Sequence, residues 1–498
     1  MSCLLLRVAP IAIRSIFGTS NARRIRVSAK IHYDPRPYDP GERRQAIPLR
    51  QLSPAFFAKL DVCGPRYTSY PTVPVWQKSF GPHDYASQLS EAGRRGADAP
   101  LSLYVHLPFC SELCAYCGCN VVVTRDPSKP DPYLDHLAQE MDLVARHLGP
   151  RRRVSQLHWG GGTPTYLSEA QIERLWCDLT RRFDLVSDAE VAVEIDPVVT
   201  SKEKLTLLRA LRFNRLSMGV QDFDPDVQRA VRRVQTIEET REALDTARKL
   251  GFSGINFDLI CGLPRQTAMS WRRTMETVAD MRPDRVAVYS FAFVPAVRPH
   301  QRRLKGFSMP AGRDKLELRS IADEVLVASG YRSIGMDHFA LPSDELAQAQ
   351  ERRELRRNFQ GYTAQPATEV VAFGVTGISD VQGAYAQNLR PLRAYFAAIT
   401  RGEFATERGI RLSAEDLRRR EVIQSLMCNF WVNLEGRDAS SFGREIEALR
   451  KFEDEGLVEM TGSEITVTPL GRPFVRNVAM IFDAYLRRAE SVPFSRTI

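Results

Sequence analysis

Between residues 101 and 291 the chain alternates short apolar runs with longer amphipathic ones, and this rhythm limits the folds open to it. The apolar runs, at 101–107, 154–159, 190–195, 215–220, 254–260 and 285–291, have the length and residue types of strands. The segments at 132–148, 169–183, 202–211, 237–250 and 269–281 carry apolar residues at helical spacing. Strands joined through helices run parallel, because a crossover of that length carries the chain back to the end at which the previous strand began. The expected class is α/β, an open parallel sheet or a partial (β/α) barrel, with the chemistry at the C-terminal ends of the strands.

The residues placed at those ends are unusual. Four of the nine cysteines, Cys110, Cys114, Cys117 and Cys119, fall on the loop after the first strand. The first three have the spacing C-x3-C-x2-C, which lets three thiolates on one loop converge on one inorganic centre. An iron–sulfur cluster held by only three protein sulfurs keeps one iron open. Cys119 leaves a fourth-ligand role chemically open. The other five cysteines are scattered and the total is odd, which argues against a disulfide framework and for a reducing compartment.

The second strand runs into Gly160-Gly161-Gly162-Thr163-Pro164, where a ligand could touch backbone and a carboxylate could meet N–H groups. Glu194 ends the third strand and could bind an amino group or ribose hydroxyls. Gln221 follows the fourth, and Asp258 lies in the fifth, where a buried carboxylate must have partners. Arg233 could supply a cation, although solvated surface is the commoner role for such a residue. His338 could be a ligand or proton donor, and 374–378 is a second glycine-containing turn suited to close approach.

With 498 residues, 43% of them hydrophobic, the chain can build two or three domains. Residues 1–50 form a basic extension: 1–31 hold six Lys or Arg and no acid, as an organellar presequence or a simple basic tail would. Residues 33–44 have linker composition. A catalytic domain is expected at 51–385 and a mainly helical one at 386–498, with a hairpin near 458–467 that suggests a winged-helix-like unit acting as an active-site cover. The formal charge of +9 comes without a basic stripe interleaved with aromatics, so no nucleic-acid partner is expected. No apolar run is long enough to span a membrane.

In their order along the chain these motifs resemble the radical S-adenosylmethionine (SAM) enzymes. From Gly64 onward the chain is similar, more narrowly, to the oxygen-independent coproporphyrinogen III oxidase family, through residues 64–71, 104–120, 158–166, 215–223, 335–340, 358–363 and 385–388. The resemblance implies a partial (β/α) radical SAM barrel in which Cys110, Cys114 and Cys117 hold a [4Fe-4S] cluster and SAM chelates the fourth iron. Reductive cleavage of SAM would then yield a 5′-deoxyadenosyl radical that takes hydrogen from a propionate. Loss of carbon dioxide and an electron leaves a vinyl group, and two rounds give protoporphyrinogen IX. Tyr104, Gly161, Glu194 and Ile378 are the implied SAM contacts, with the Tyr116 backbone nearby, and Tyr104 and Glu194 are also implied to be catalytic. Gly162, Thr163, Gln221, Arg233, Asp258 and Ala292 match positions the family uses for a second SAM. Cys119 matches a family cysteine that is not a ligand.

The expected partners are the porphyrinogen and an electron-donor protein such as a flavodoxin or ferredoxin. The expected state is a cytoplasmic monomer, or an organellar one if residues 1–31 are a presequence. Four substrate carboxylates call for cations and hydroxyls, for which Arg66, Tyr67, Tyr70 and Arg357 are the candidates. Two departures stand out: Ser290-Phe291-Ala292-Phe293 replaces the family's Asn-Tyr-Ala-His pattern, and Cys261 stands where tyrosine is usual. They keep open a paralogous radical SAM methyltransferase or a cyclopropane-forming enzyme. A heme-binding chaperone of the same family is the other alternative, disfavoured by the segment 64–71 and by Cys119.

Overall fold

The computed structural model describes residues 54–498 except 97, 366–368, 436–441, 488–493, 495 and 498. The basic extension and the linker lie outside the described residues. One twelve-stranded sheet organises the rest. Its strands are β1 (Leu101–Leu107), β2 (Arg153–Gly161), β3 (Asp184–Ile195), β4 (Arg215–Gln221), β5 (Gly254–Cys261), β6 (Arg285–Ser290), β7 (Arg332–Gly335), β8 (His338–Ala340), β9 (Val370–Phe373), β10 (Ile378–Val381), β11 (Ala384–Asn388) and β12 (Thr406–Arg411). They lie in the order β12-β11-β10-β9-β1-β2-β3-β4-β5-β6-β8-β7. Neighbours from β9 through β6 pair in parallel, and antiparallel strands extend both edges. The ends, β12 and β7, are not paired to each other, so the sheet is an unclosed barrel.

All six expected strands are present. The crossovers are α1 (Pro130–Leu148), α2 (Glu169–Thr180), α3 (Lys202–Ala210), α4 (Ile237–Leu250) and α5 (Ala268–Met281), and α6 (Arg313–Ala328) follows β6. Local signals set their starts: Ser168, Thr236 and Thr267 each cap an orphan N–H in a reciprocal capping box. Along β1 every residue is buried except Tyr104, which stays partly open. That one gap in a doubly covered strand marks the face on which the site is built.

Residues 385 and 386, where the expected catalytic domain gives way to the helical one, lie inside β11. Strand β11 bonds β10 on one side and β12 on the other, so the sheet continues to Arg411. Beyond it lie α7 (Ala414–Asn429), β13 (Trp431–Asn433), α8 (Gly443–Asp454), β14 (Val458–Thr461), β15 (Glu464–Val467) and α9 (Val475–Ile481). The three strands form an antiparallel sheet, β13-β15-β14.

This C-terminal unit packs around residues from the other end of the chain. Tyr67 and Tyr70 share its core with Leu426, Phe442 and Val478. The Tyr67 hydroxyl donates to Asp483 Oδ2 at 3.1 Å, the Tyr70 hydroxyl accepts from the Ala484 N–H at 3.2 Å, and Arg476 Nε donates to the Pro65 carbonyl at 3.0 Å. Tyr67 and Tyr70, two of the candidate substrate-carboxylate ligands, are 4% and 1% exposed and have their hydroxyls engaged in this core. Among the described residues no helix is long and apolar enough to cross a membrane.

Candidate active site

A cavity of about 1130 Å³ opens at the C-terminal ends of the parallel strands. Cys110, Cys114, Tyr116, Cys117, Gly161, Gly162, Thr163, Glu194, Gln221, Arg233, Asp258 and Ala292 all line it. Two expected contacts do not. Tyr104 stands behind its wall, and Ile378 packs with Trp76, Tyr385 and Leu412.

The glycine turn is shaped by three different neighbours. A Cβ on Gly160 would lie 2.7 Å from Glu194 Oε1, one on Gly161 2.6 Å from His106 Cε1, and one on Gly162 2.7 Å from the Phe109 carbonyl. Gly161 also has φ +120°, a region costly to other residues. The N–H groups expected to face a ligand are engaged within the chain. Gly161 donates to Glu194 Oε2 at 2.9 Å, Gly162 to the Leu107 carbonyl at 2.8 Å and Thr163 to the Phe109 carbonyl at 2.9 Å. The glycines therefore seat the turn against β1 and hold the carboxylate that faces the cavity.

Glu194 Oε1 lies 3.2 Å from His158 Nε2. Burial alone would raise this carboxyl, but the His158 ring, the Gly161 N–H and the His106 ring outweigh it and hold the group below its ordinary value. Glu194 is therefore an anion that keeps 40% of its side-chain surface open to the cavity. His158 stacks on Tyr104, with ring centroids 5.8 Å apart. The Tyr104 hydroxyl, pushed well above its usual range by burial and by Glu194, donates to His106 Nδ1 at 3.1 Å. Burial lowers His106, so its ring is neutral and Nε2–H donates to the Asn120 carbonyl at 3.1 Å. This relay ties β1 to the end of the cysteine loop.

The loop itself is closed by a parallel bridge between Phe109–Cys110 and Val122–Val123. Cys110 Sγ is 3.5 Å from Thr163 Oγ1. Cys119 offers its thiol and its N–H to Cys117 and holds that thiol low, at about 6. All eight described cysteines are unpaired. Among the described residues no three His, Cys, Asp or Glu side chains gather tightly enough for a single metal ion. A polynuclear cluster takes thiolates spread around it, and three thiols on one loop facing one cavity fit that demand. Burial holds Cys110 at about 11 and raises Cys114, so binding iron must displace their protons.

On the far wall, Asp258 accepts from Ser217 Oγ at 2.6 Å and from Asn256 Nδ2 at 2.9 Å, and burial lifts its carboxyl to about 6. Arg233 bonds Asp196 Oδ2 and the Gly219 carbonyl, both at 2.8 Å. Gln221 is aimed by a left-handed backbone, φ +66°. Gln301 and His300 were not expected. Gln301, 1% exposed, donates to the carbonyls of Tyr116 at 3.1 Å and Ala292 at 3.2 Å and accepts from the Val294 N–H at 2.6 Å; His300 donates to the Cys117 carbonyl at 2.9 Å. No local pattern marks them, since their cysteine-loop partners are 183 or more residues away. The departures Phe291 and Phe293 pack with Ala115, Val231 and Leu304 as an apolar pad under the same loop.

The radical SAM superfamily model matches residues 104–278, which hold the cysteine loop, the glycine turn and Glu194. Fold and site together define a radical SAM enzyme, whose cofactors are a [4Fe-4S] cluster and SAM. The oxygen-independent coproporphyrinogen III oxidases of Pseudomonas aeruginosa and Escherichia coli are 43% and 44% identical to the chain, over 88% and 89% of it and 97% and 98% of their own lengths. The solved structure of coproporphyrinogen III oxidase from Escherichia coli, described as a radical SAM enzyme, aligns with a TM-score of 0.81 at 44% identity, over 84% of this chain and 97% of that one. The chain belongs to the oxygen-independent coproporphyrinogen III oxidase family.

Proposed function

We propose that this chain converts two propionate side chains of coproporphyrinogen III to vinyl groups without oxygen, giving protoporphyrinogen IX in heme biosynthesis. The observation that carries the reading is the cavity in which three loop thiols face an ionised Glu194, in a chain 43% identical to a curated oxidase of that name. Each conversion removes a hydrogen atom, carbon dioxide and one electron from a propionate. When bound, the cluster and SAM supply the abstraction of hydrogen from an unactivated C–H bond.

The chain's own groups supply position. Cys110, Cys114 and Cys117 would hold the cluster and leave one iron for SAM. Glu194, kept anionic by His158 and Gly161, is an acceptor aimed at an ammonium or a ribose hydroxyl, and Tyr104 and His106 fix the strand beside it. Asp258, Gln221 and Arg233 supply polar groups for a second SAM at the opposite wall. Ile260, Phe291 and Val294 line the cavity with apolar surface that excludes water from a radical reaction. The expected electron source is a flavodoxin- or ferredoxin-type donor, and the expected state is a monomer. The unpaired cysteines suit the reducing cytoplasm.

The test is anaerobic incubation of cluster-reconstituted protein with SAM, a reductant and coproporphyrinogen III, with products separated by chromatography. A monovinyl intermediate followed by protoporphyrinogen is expected. SAM cleavage without either product overturns the reading, and stoichiometric heme binding in its place identifies a heme chaperone.

A further inference from the structure

Arg357 is a buried guanidinium without a carboxylate partner among the described residues. It lies in the two-residue strand Arg356–Arg357, paired with Tyr362–Thr363, and is 9% exposed. Its Nη1 donates to the Arg66 carbonyl at 2.8 Å and contacts Met336 Sδ at 3.0 Å, and its plane lies over the Tyr362 ring at 5.1 Å. Nε is buried and makes no hydrogen bond. The neighbouring carboxylates are already matched. Asp337 pairs with Arg66 and lies 3.4 Å from Arg319, which also holds Asp323 at 3.2 Å. Two guanidiniums balance two carboxylates in that chain, and Arg357 is the charge left over. An unpaired buried cation is strongly destabilising, so this is a place that an anion completes.

His338 adds a second unmet demand. Its ring sits edge-on between Tyr289, at 5.8 Å, and Tyr362, at 5.1 Å, and its Nδ1 is buried without a partner. Burial and the surrounding arginines, Arg357 first, keep the ring neutral. The site adjoins the cavity through Tyr289, which lines the cavity on one side and meets His338 on the other. The strand register makes the same connection: Asp258 on β5 pairs with Ala287 on β6, and Ala287 with His338 on β8. A planar guanidinium beside an imidazole nitrogen matches the two oxygens of a carboxylate.

We propose that Arg357 and His338, with Arg66 beside them, form a carboxylate-binding site that receives a propionate of the porphyrinogen next to the radical SAM cavity. The identity of the ligand rests on the function proposed above; the unmatched cation does not.

The experiment measures binding of coproporphyrin III, the stable aromatic form of the substrate, to the full cluster-reconstituted chain by fluorescence, alongside its tetramethyl ester and SAM. Arg357→Met should weaken the tetra-acid by roughly 10- to 100-fold, the loss expected for a charge-assisted hydrogen bond. Arg357→Lys should recover part of that loss. His338→Phe, which keeps the aromatic packing, should weaken the acid severalfold, and this variant decides the matter if Arg357→Met does not fold. The ester should bind all variants alike. Unchanged binding of the acid in folded Arg357→Met, or in His338→Phe where the former fails to fold, overturns the proposal. So does a loss confined to SAM, which would assign the site to the carboxylate of SAM. Failure of the functional reading looks different: the unaltered enzyme would make no vinyl product while the variants still separated acid from ester.

Discussion

Glu194 accepts the Gly161 N–H at 2.9 Å, a bond that ties the end of one parallel strand to the turn leaving its neighbour. It turns a side chain that could point anywhere at a strand mouth into a fixed anion. The absence of side chains at Gly160 and Gly161 makes room for Glu194 and His106 respectively, so the charge, its donor and the turn depend on one another.

Glu194→Gln keeps the shape of that side chain and removes its charge. SAM binding to cluster-reconstituted protein, followed by equilibrium dialysis, should weaken by roughly 10- to 100-fold, the range for a hydrogen bond to a charged group. The cluster's visible absorption should remain. Binding within about twofold of the unaltered protein, a difference too small for a charged hydrogen bond, takes Glu194 out of the SAM site.

Cys114 and Cys119 should separate cleanly. Cys114→Ala is expected to abolish the visible absorption of the reconstituted cluster, and Cys119→Ala to leave it, because Cys119 contacts Cys117. Loss of the spectrum in both variants would make Cys119 a ligand.

Gln301→Ala removes a buried amide with three backbone partners that join the cysteine loop to the segment after β6. The expected cost is roughly 2–4 kcal/mol in urea unfolding, since backbone groups are left unpaired. Faster loss of cluster absorption on dilution should accompany it. An unchanged urea midpoint would show that Gln301 does not support the loop.

Glu140 on α1 gives a pH dependence. It is 1% exposed, accepts from Gly374 N and Tyr395 Oη, each at 2.7 Å, and from Asn388 Nδ2 at 2.6 Å, and burial lifts its carboxyl from 4.5 to about 7. A carboxyl raised on folding holds its proton more tightly in the fold. Its contribution therefore favours the fold most below pH 4.5, declines as pH rises to about 7 and is constant above. The full change is at most roughly 3.5 kcal/mol, the shift at about 1.4 kcal/mol per unit. Denaturant midpoints of the metal-free chain from pH 5 to 8 should fall for the unaltered protein relative to Glu140→Gln. A constant difference between the two excludes Glu140 as the titrating group.

Local signals carried the strand-and-helix plan well. Apolar periodicity and caps located β1 to β6 and α1 to α5, whose termini depend on neighbours a few residues away. Strand β3 begins earlier than expected, at Asp184, because its first five residues mix polar and apolar types without alternation and none is fully buried, and pairing with Arg153 and Val154 rather than periodicity places them in the strand. The continuation of the sheet past 385/386 escaped the sequence for a related reason. Strands β11 and β12 join the sheet through hydrogen bonds to β10 and to each other, and those bonds leave little trace in composition.

The C-x3-C-x2-C spacing by itself determined a loop of three thiolates at a strand end, because all three share one short segment. The alternation around it determined a parallel α/β sheet. Tertiary structure decided what the other groups do. It spent the glycine N–H groups on Glu194 and β1, sent Tyr67 and Tyr70 into the C-terminal core, brought Gln301 under the loop, and left Arg357 buried with no counter-ion among the described residues. Each outcome turns on partners far apart in the chain, and only folding shows which charges and donors remain unmatched.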